Sequence, residues 1–140
     1  MKKEITKLVD ENNVKFIQLW FTDIIGNLKS VTIPRSQLED AIKDGQGFDG
    51  SSIEGFTRIH ESDMLAKPDI NTFVILPWSS ENQKEARIFC DIYLPDGSPY
   101  EGDPRYILKK NLAEAKKMGF TYYVGPEIEY FYFKNSEDVK

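Results

Sequence analysis

The chain has 140 residues, of which 40% are hydrophobic and 29% are charged, and its formal net charge is -5. This length and composition are typical of a globular chain with a sizeable core and exclude a disordered one. The acidic balance argues against a protein that binds nucleic acid through its phosphates, but it allows a site for cations.

Compartment and membrane association follow from simple features of the sequence. Cys90 is the only cysteine, so no disulfide can form within the chain. The N-terminus has no apolar run typical of a signal peptide, and the apolar stretch over residues 73–78 is too short to cross a membrane. We therefore expect a cytoplasmic protein with neither a membrane nor a nucleic acid as partner.

The chain opens with a predicted helix followed by a predicted β-hairpin. The helix, over residues 3 to about 11, is predicted by three apolar residues at helical spacing, Ile5, Leu8 and Val9. Two segments rich in β-branched and aromatic residues then flank a turn at Gly26 and Asn27. This pattern predicts two antiparallel strands between residues 14 and 34.

A second helix is predicted after the hairpin, with Leu38, Ala41 and Ile42 on one face and Gly45 as its stop. The glycine-rich stretch that follows, up to Met64, has little periodicity and is predicted to be a long loop. Two further strands are then expected, in the sequences NTFVILPW and KEARIFCDIYL.

This order of elements predicts a small α+β domain over residues 14–100. A sheet with one helix packed across it, as in a β-grasp fold, fits the pattern best. A second unit is predicted over residues 103–140, where Asp103 is a good helix N-cap and Pro104 a good first helical residue. This helix should present an apolar face and end at Gly119, with that face formed by Leu108, Leu112 and Ala115.

The last predicted element is an aromatic strand, FTYYVGPEIEYFYF. A single strand buries little without neighbours, and few residues follow, so we expect a second, larger domain that this chain contains only in part. Aromatic residues on both sides of the strand predict that it is covered on both faces.

Two glutamates within this strand need an explanation. Side chains alternate along a strand, so Glu127 and Glu129 share a face with their Cα atoms about 7 Å apart. Burying two unpaired carboxylates would cost several kcal/mol each. One interpretation is a site for hard cations such as Mg²⁺ or Mn²⁺, which prefer oxygen ligands. The other is that both glutamates face water near the end of a sheet.

The long predicted loop contains further candidate residues. The pair Asp49 and Gly50 is, on its own, more typical of a plain turn than of a catalytic site. Arg58 could bind a carboxylate or form a surface ion pair. His60, the only histidine, is better explained as a solvated loop residue.

Five segments in this order and spacing resemble those of glutamine synthetases of the prokaryotic type I. They are FDGSSIEGF in the predicted long loop, ESDM and KPDINTFVILPW shortly after it, DPR at the start of the third predicted helix and GPEIE in the last predicted strand. The resemblance extends over nearly the whole chain. Ile128 and Tyr130 depart from the usual proline and phenylalanine of the family but leave both glutamates in place.

The resemblance implies a fold, a reaction and an assembly. The fold is an N-terminal β-grasp domain followed by the start of a larger catalytic domain. The reaction ligates ammonia to L-glutamate with ATP as co-substrate, through a γ-glutamyl phosphate, and uses two Mg²⁺ or Mn²⁺ ions. Identical subunits assemble into stacked rings, and each active site lies between the β-grasp domain of one subunit and the catalytic domain of its neighbour.

Site residues follow from the resemblance position by position. Glu127 and Glu129 correspond to metal ligands, and Asp49 corresponds to the aspartate that binds ammonium and takes its proton. Ser52 corresponds to the serine that accompanies this aspartate. Arg58 could reach a substrate or product carboxylate across the subunit boundary.

Three interpretations of the chain remain open from the sequence. They are the N-terminal portion of a synthetase, a naturally short paralogue that binds and modulates full-length subunits, and a ubiquitin-like adaptor. The Asp49 loop and the GPEIE motif argue against the adaptor, which has no use for them. The family's remaining metal ligands, ATP-binding segments and substrate arginines would lie beyond Lys140, and no GxxxxGK[ST] motif is present to bind ATP instead, so we do not expect this piece alone to be active.

Overall fold

The fold is taken from a computed structural model, which describes residues 2–52 and 63–135. Three helices and six strands are found in these ranges, connected in places by short 3-10 turns. In chain order they are α1 (Lys2–Glu11), β1 (Val14–Thr22), β2 (Leu28–Pro34), α2 (Leu38–Asp44), β3 (Gln46–Asp49), β4 (Asp63–Pro68), β5 (Val74–Ile75), β6 (Lys84–Tyr93) and α3 (Pro104–Lys117).

The strands form one mixed sheet in the order β2-β1-β6-β4-β3, with β5 paired to β6 beside β4. The two central strands, β1 and β6, run parallel, and the remaining pairs are antiparallel. A parallel central pair needs a crossover connection, which here contains α2, β3 and β4. This is the β-grasp arrangement predicted from the sequence.

One face of the sheet carries the core. Alternate residues of β6 point into it, as the period of two in a strand requires. Helices α1 and α2 contribute apolar residues from their inner faces, as their spacing predicts. The buried apolar residues include Ile5, Val9, Ile17, Leu19, Ile33, Leu38, Ala41, Met64, Ala66, Ala86, Ile88, Cys90 and Ile92.

The region between α2 and β5 differs from the prediction. The expected long loop contains β3 and the start of β4, which pair with each other and place Phe48 opposite Met64. Gly47 interrupts the apolar pattern of β3, so the alternation that would predict a strand is missing from the sequence. Conversely, most of the strand predicted in NTFVILPW is absent, because Asp69 accepts a hydrogen bond from the Asn71 N–H and starts a 3-10 turn (Ile70–Thr72) that leaves only Val74–Ile75 as β5.

Helix α3 forms as predicted at both ends. The Asp103 carboxylate accepts a hydrogen bond from the Arg105 N–H at 3.0 Å, which confirms it as the N-cap. Gly119 adopts a positive φ of 85° just after the helix, as a glycine that ends a helix commonly does. The apolar face is present but uncovered in the described chain, with Leu108 and Leu112 exposed.

The predicted strand across Glu127 and Glu129 does not form in this structure. None of residues 120–133 belongs to a β-ladder, because no described strand offers them hydrogen bonds. The prediction that this segment is covered on both faces is also wrong for the described chain, since Ile128 is 84% exposed and Tyr132 is 90% exposed.

Among the described residues, no helix has the length and apolar content needed to span a bilayer.

Candidate functional site

Asp49 is the last residue of β3 and lies exposed at one end of the sheet. The antiparallel register places it directly opposite Asp63, the first residue of β4. Like charges at directly opposite positions repel each other, so this end of the ladder favours a positively charged neighbour. Both aspartates border an open cleft of about 560 Å³, which is also lined by Gly47, Phe48, Met64, Leu65 and Pro95.

The Asp49 carboxylate is held by the turn that follows it. The backbone N–H of Ser51 donates to Asp49 Oδ1 at 2.9 Å, and the Ser51 hydroxyl donates to the same oxygen at 2.7 Å. Gly50 is buried and begins a 3-10 turn (Gly50–Ser52), which brings Ser51 back toward Asp49. The local sequence Asp-Gly-Ser therefore fixes the side chain at the cleft.

Of the other candidates that follow Asp49, only the backbone of Ser52 lies within the described residues. Ser52 ends the 3-10 turn, but its side chain lies outside the described residues. Arg58 and His60 also lie outside the described residues, so their assignments stay predictions.

Glu127 and Glu129 lie in the segment after α3, and both are exposed. Their donor chemistry fits the metals expected, since two carboxylates on alternate residues offer oxygen ligands to a hard cation. Within the described part of the chain, no three His, Cys, Asp or Glu residues come close enough together to hold a metal ion. Further ligands would have to come from elsewhere.

Two polar contacts attach α3 to the sheet. Beyond Trp20, β1 no longer pairs with β6, and the segment before α3 takes over that edge. There Tyr100 N–H donates to the Ile92 carbonyl at 3.0 Å, and Ile92 N–H donates to Asp103 Oδ2 at 3.0 Å. Burial raises the pKa of Asp103, although the backbone N–H groups of Ile92 and Arg105 partly oppose this effect.

An ion-pair cluster lies next to this attachment on the outer side of the sheet. Arg105 forms an ion pair with Asp69, and its Nε lies 3.1 Å from Asp91 Oδ1. Lys109 Nζ lies 2.6 Å from Asp91 Oδ2. Burial acts to raise the pKa of Asp69, but the Asn71 N–H and the Arg105 guanidinium outweigh burial and the pKa is lowered.

Two residues near Asp49 were not found by reasoning from the sequence. Asp63 lies in the predicted long loop, and only the pairing of β3 with β4 brings it opposite Asp49. Ser51 was passed over in favour of Ser52. A signal for it existed, since the Asp-Gly-Ser sequence recurs at Asp96 to Ser98 with the same two hydrogen bonds.

The fold and the site together define a class: a β-grasp domain with two opposed aspartates at one end of its sheet, followed by helix α3. The family model described as "Glutamine synthetase, beta-Grasp domain" matches residues 13–95. A second model, "Glutamine synthetase, catalytic domain", matches residues 101–140. The chain belongs to the glutamine synthetase family, as the resemblance of its motifs predicted.

Curated relatives support the same assignment over nearly the whole chain. Glutamine synthetase from Clostridium saccharobutylicum is 54% identical over 137 residues, which are 98% of this chain and 31% of that protein. Glutamine synthetase from Thermus thermophilus is 56% identical over 136 residues, or 94% of this chain and 30% of that protein. The chain thus spans about 30% of the length of the curated relatives it matches.

Solved structures agree with the fold. The GmaS/ADP complex superimposes with a TM-score of 0.73 at 26% identity, covering 81% of this chain and 25% of that chain. The cryoEM structure of Plasmodium falciparum glutamine synthetase superimposes with a TM-score of 0.76 at 24% identity, covering 85% of this chain and 23% of that chain. The second likeness concerns the fold alone.

Proposed function

We propose that this chain forms the N-terminal portion of a glutamine synthetase. The full-length oligomer would ligate ammonia to L-glutamate, with ATP as co-substrate and γ-glutamyl phosphate as intermediate. The observation that carries the proposal is the match to both family domains in order, together with 54% identity to a glutamine synthetase over 98% of the chain. The 140-residue piece alone is not expected to be active.

The described residues support separate roles for the two halves of the proposed site. Asp49, exposed at the end of β3, would bind ammonium and accept a proton as the amide forms, because a carboxylate attracts the cation and can act as a base. Glu127 and Glu129 would hold Mg²⁺ or Mn²⁺ together with ligands from the rest of the catalytic domain. When bound, these ions would neutralise phosphate charge during transfer.

The structure makes a shared site reasonable. Asp49 belongs to the β-grasp sheet, whereas the two glutamates follow α3 in a segment that pairs with no described strand. A site formed between neighbouring identical subunits, with the β-grasp domain of one facing the catalytic domain of the next, would bring both halves together. Stacked rings of subunits in the cytoplasm, as the family resemblance implies, belong to this proposal.

The metal role is tested by Glu129→Ala in the full-length protein. We expect this variant to lose activity and to bind Mn²⁺ weakly in titrations followed by electron paramagnetic resonance, while it still assembles. Glu114→Ala removes an exposed glutamate from α3 and serves as the matched control. Normal turnover in the Glu129 variant would contradict the metal assignment.

The ammonium role is tested by Asp49→Ala. Amide formation should slow far more than ATP binding weakens, since the carboxylate acts on ammonium and not on the nucleotide. Asp96→Ala removes the aspartate of the other Asp-Gly-Ser turn and should leave both quantities unchanged. Unchanged kinetics for Asp49→Ala would remove this residue from the site.

A second candidate function is a short paralogue that modulates full-length subunits through the β-grasp face. In its favour, α3 exposes two apolar side chains, Leu108 and Leu112, which could pack against another protein. Intact mass of the native polypeptide separates the two proposals. A species of 16.2 kDa would favour the paralogue, and a much heavier one would favour the synthetase.

A further inference from the structure

We propose that Ser51 is a positioning residue that holds the Asp49 carboxylate in the orientation needed to bind ammonium. This inference rests on the proposed function, because it assigns a task to Ser51 only if Asp49 receives ammonium. It differs from the family resemblance, which points to the next residue, Ser52. The role assigned to Ser51 is to act through Asp49 and not to touch the substrate.

The contacts of Ser51 converge on one oxygen. Its backbone N–H and its hydroxyl both donate to Asp49 Oδ1, at 2.9 and 2.7 Å. Two donors on one carboxylate oxygen restrict rotation of the aspartate side chain about both of its torsions. The second donor comes from a side chain, so it can be removed by mutation without changing the backbone.

The position of the two residues relative to the cleft supports positioning over direct contact. Asp49 lines the 560 Å³ cleft beside Asp63, whereas Ser51 is not among the described residues that line it. Ser51 therefore contacts Asp49 without itself lining the cleft. Ser51 would then fix the direction of the carboxylate while the cleft remains open to a small cation.

The same contact elsewhere in the chain shows that it arises from local sequence. At Asp96, Gly97 and Ser98, the serine N–H and hydroxyl again donate to the aspartate Oδ1, at 2.8 and 2.6 Å. The surroundings differ, because that turn follows β6 and contains Gly97 with a positive φ of 84°. The Ser51 contact is therefore formed before any ligand arrives, which lowers the ordering cost of binding.

The test uses full-length, assembled synthetase with ammonium as the varied substrate. Ser51→Ala should raise KM for ammonium by about tenfold, the lower end of what a hydrogen bond to a charged group contributes. KM for ATP and the melting temperature should stay unchanged. Ser51→Thr, which keeps a hydroxyl donor, should restore the ammonium KM. Ser98→Ala is the matched control, since it removes the same hydroxyl contact outside the cleft.

A double-mutant cycle distinguishes positioning from a separate structural role. If Ser51 acts through Asp49, Ser51→Ala should have no further effect in the Asp49→Ala background. An unchanged ammonium KM in Ser51→Ala, or additive losses in the double variant, would overturn the proposal.

The outcomes also separate this inference from the function on which it rests. If Asp49→Ala slows amide formation and Ser51→Ala does not alter the ammonium KM, only the positioning role fails. If Asp49→Ala has no effect, the ammonium site itself fails. Should Ser51→Ala not assemble, Ser51→Cys keeps the size of the side chain with a weaker donor and should give a smaller increase in KM; no increase would overturn the proposal.

Discussion

The β-grasp sheet and the segment after α3 both carry large apolar side chains, but only the sheet buries them. Ile88 in β6 is 0% exposed, whereas Phe131 after α3 is 85% exposed. The sheet buries its apolar side chains because β6 has strands on both sides and helices over one face. Within the described chain, the segment after α3 has neither neighbouring strands nor a covering helix. Apolar content therefore indicates that a segment tends to be buried, but the segment becomes buried only where another surface packs against it.

This contrast also separates two kinds of attachment. The β-grasp domain is held by a contiguous apolar cluster, and α3 is joined to it mainly by polar groups around Asp103, Asp69 and Asp91. In the proposed synthetase, the remainder of the catalytic domain would cover the exposed side of α3. Stability should thus depend strongly on the sheet and weakly on the later segment.

The largest expected effect comes from truncating the core. Ile88→Ala should lower the free energy of unfolding of the chain by about 2–5 kcal/mol, since it removes buried methyl groups and leaves a cavity. The matched variant Phe131→Ala should change it by less than about 0.5 kcal/mol, because its ring is already exposed. Urea unfolding followed by circular dichroism measures both. Comparable losses would show that the later segment is packed after all.

An intermediate effect is expected at the junction. Asp103→Ala removes the N-cap of α3 and the acceptor for the Ile92 N–H, and should cost about 1–3 kcal/mol. Hydrogen exchange should show faster opening of α3 and of β6 near Ile92. Asp103→Asn keeps one acceptor oxygen and should fall between the wild type and the alanine variant. If exchange in α3 is unchanged in the alanine variant, the cap does not hold the junction.

Much of this fold could be predicted because local signals and tertiary packing agree. In β1 and β6 the apolar residues alternate, and both ends of α3 carry the expected cap residues Asp103 and Gly119. The β3–β4 pair was missed because its pairing is long-range and Gly47 weakens its pattern. The strand over residues 120–133 was predicted from composition, but a strand requires a neighbour that composition cannot supply.

Only part of the candidate site could be predicted from the sequence. Residues alone favoured a plain turn at Asp49, and it was the family resemblance that assigned it a role. The contact from Ser51 depends on a 3-10 turn and the position of Asp63 on strand pairing, so neither follows from residue spacing. For Glu127 and Glu129, the chemistry of two carboxylates suggests a metal, and the proposed site would need ligands beyond these two.

The smallest expected effect concerns the Asp69–Arg105 ion pair, which ties the sheet to α3. Because the pKa of Asp69 is lowered, its ionised form favours the folded state, and this stabilisation is fully present above the ordinary value of 3.8. It is lost as the pH falls below that value toward the folded pKa. Asp69→Asn should therefore cost about 1 kcal/mol or less at pH 7.

The pH dependence makes this last prediction specific. The difference in unfolding free energy between wild type and Asp69→Asn should shrink as the pH is lowered from 5 to about 2, since protonation removes the same charge in the wild type. Asp103 should behave in the opposite sense, because its raised pKa makes protonation favour the folded state. Urea titrations at several pH values measure both trends. A gap between wild type and Asp69→Asn that is independent of pH would show that the charge of Asp69 does not stabilise the junction.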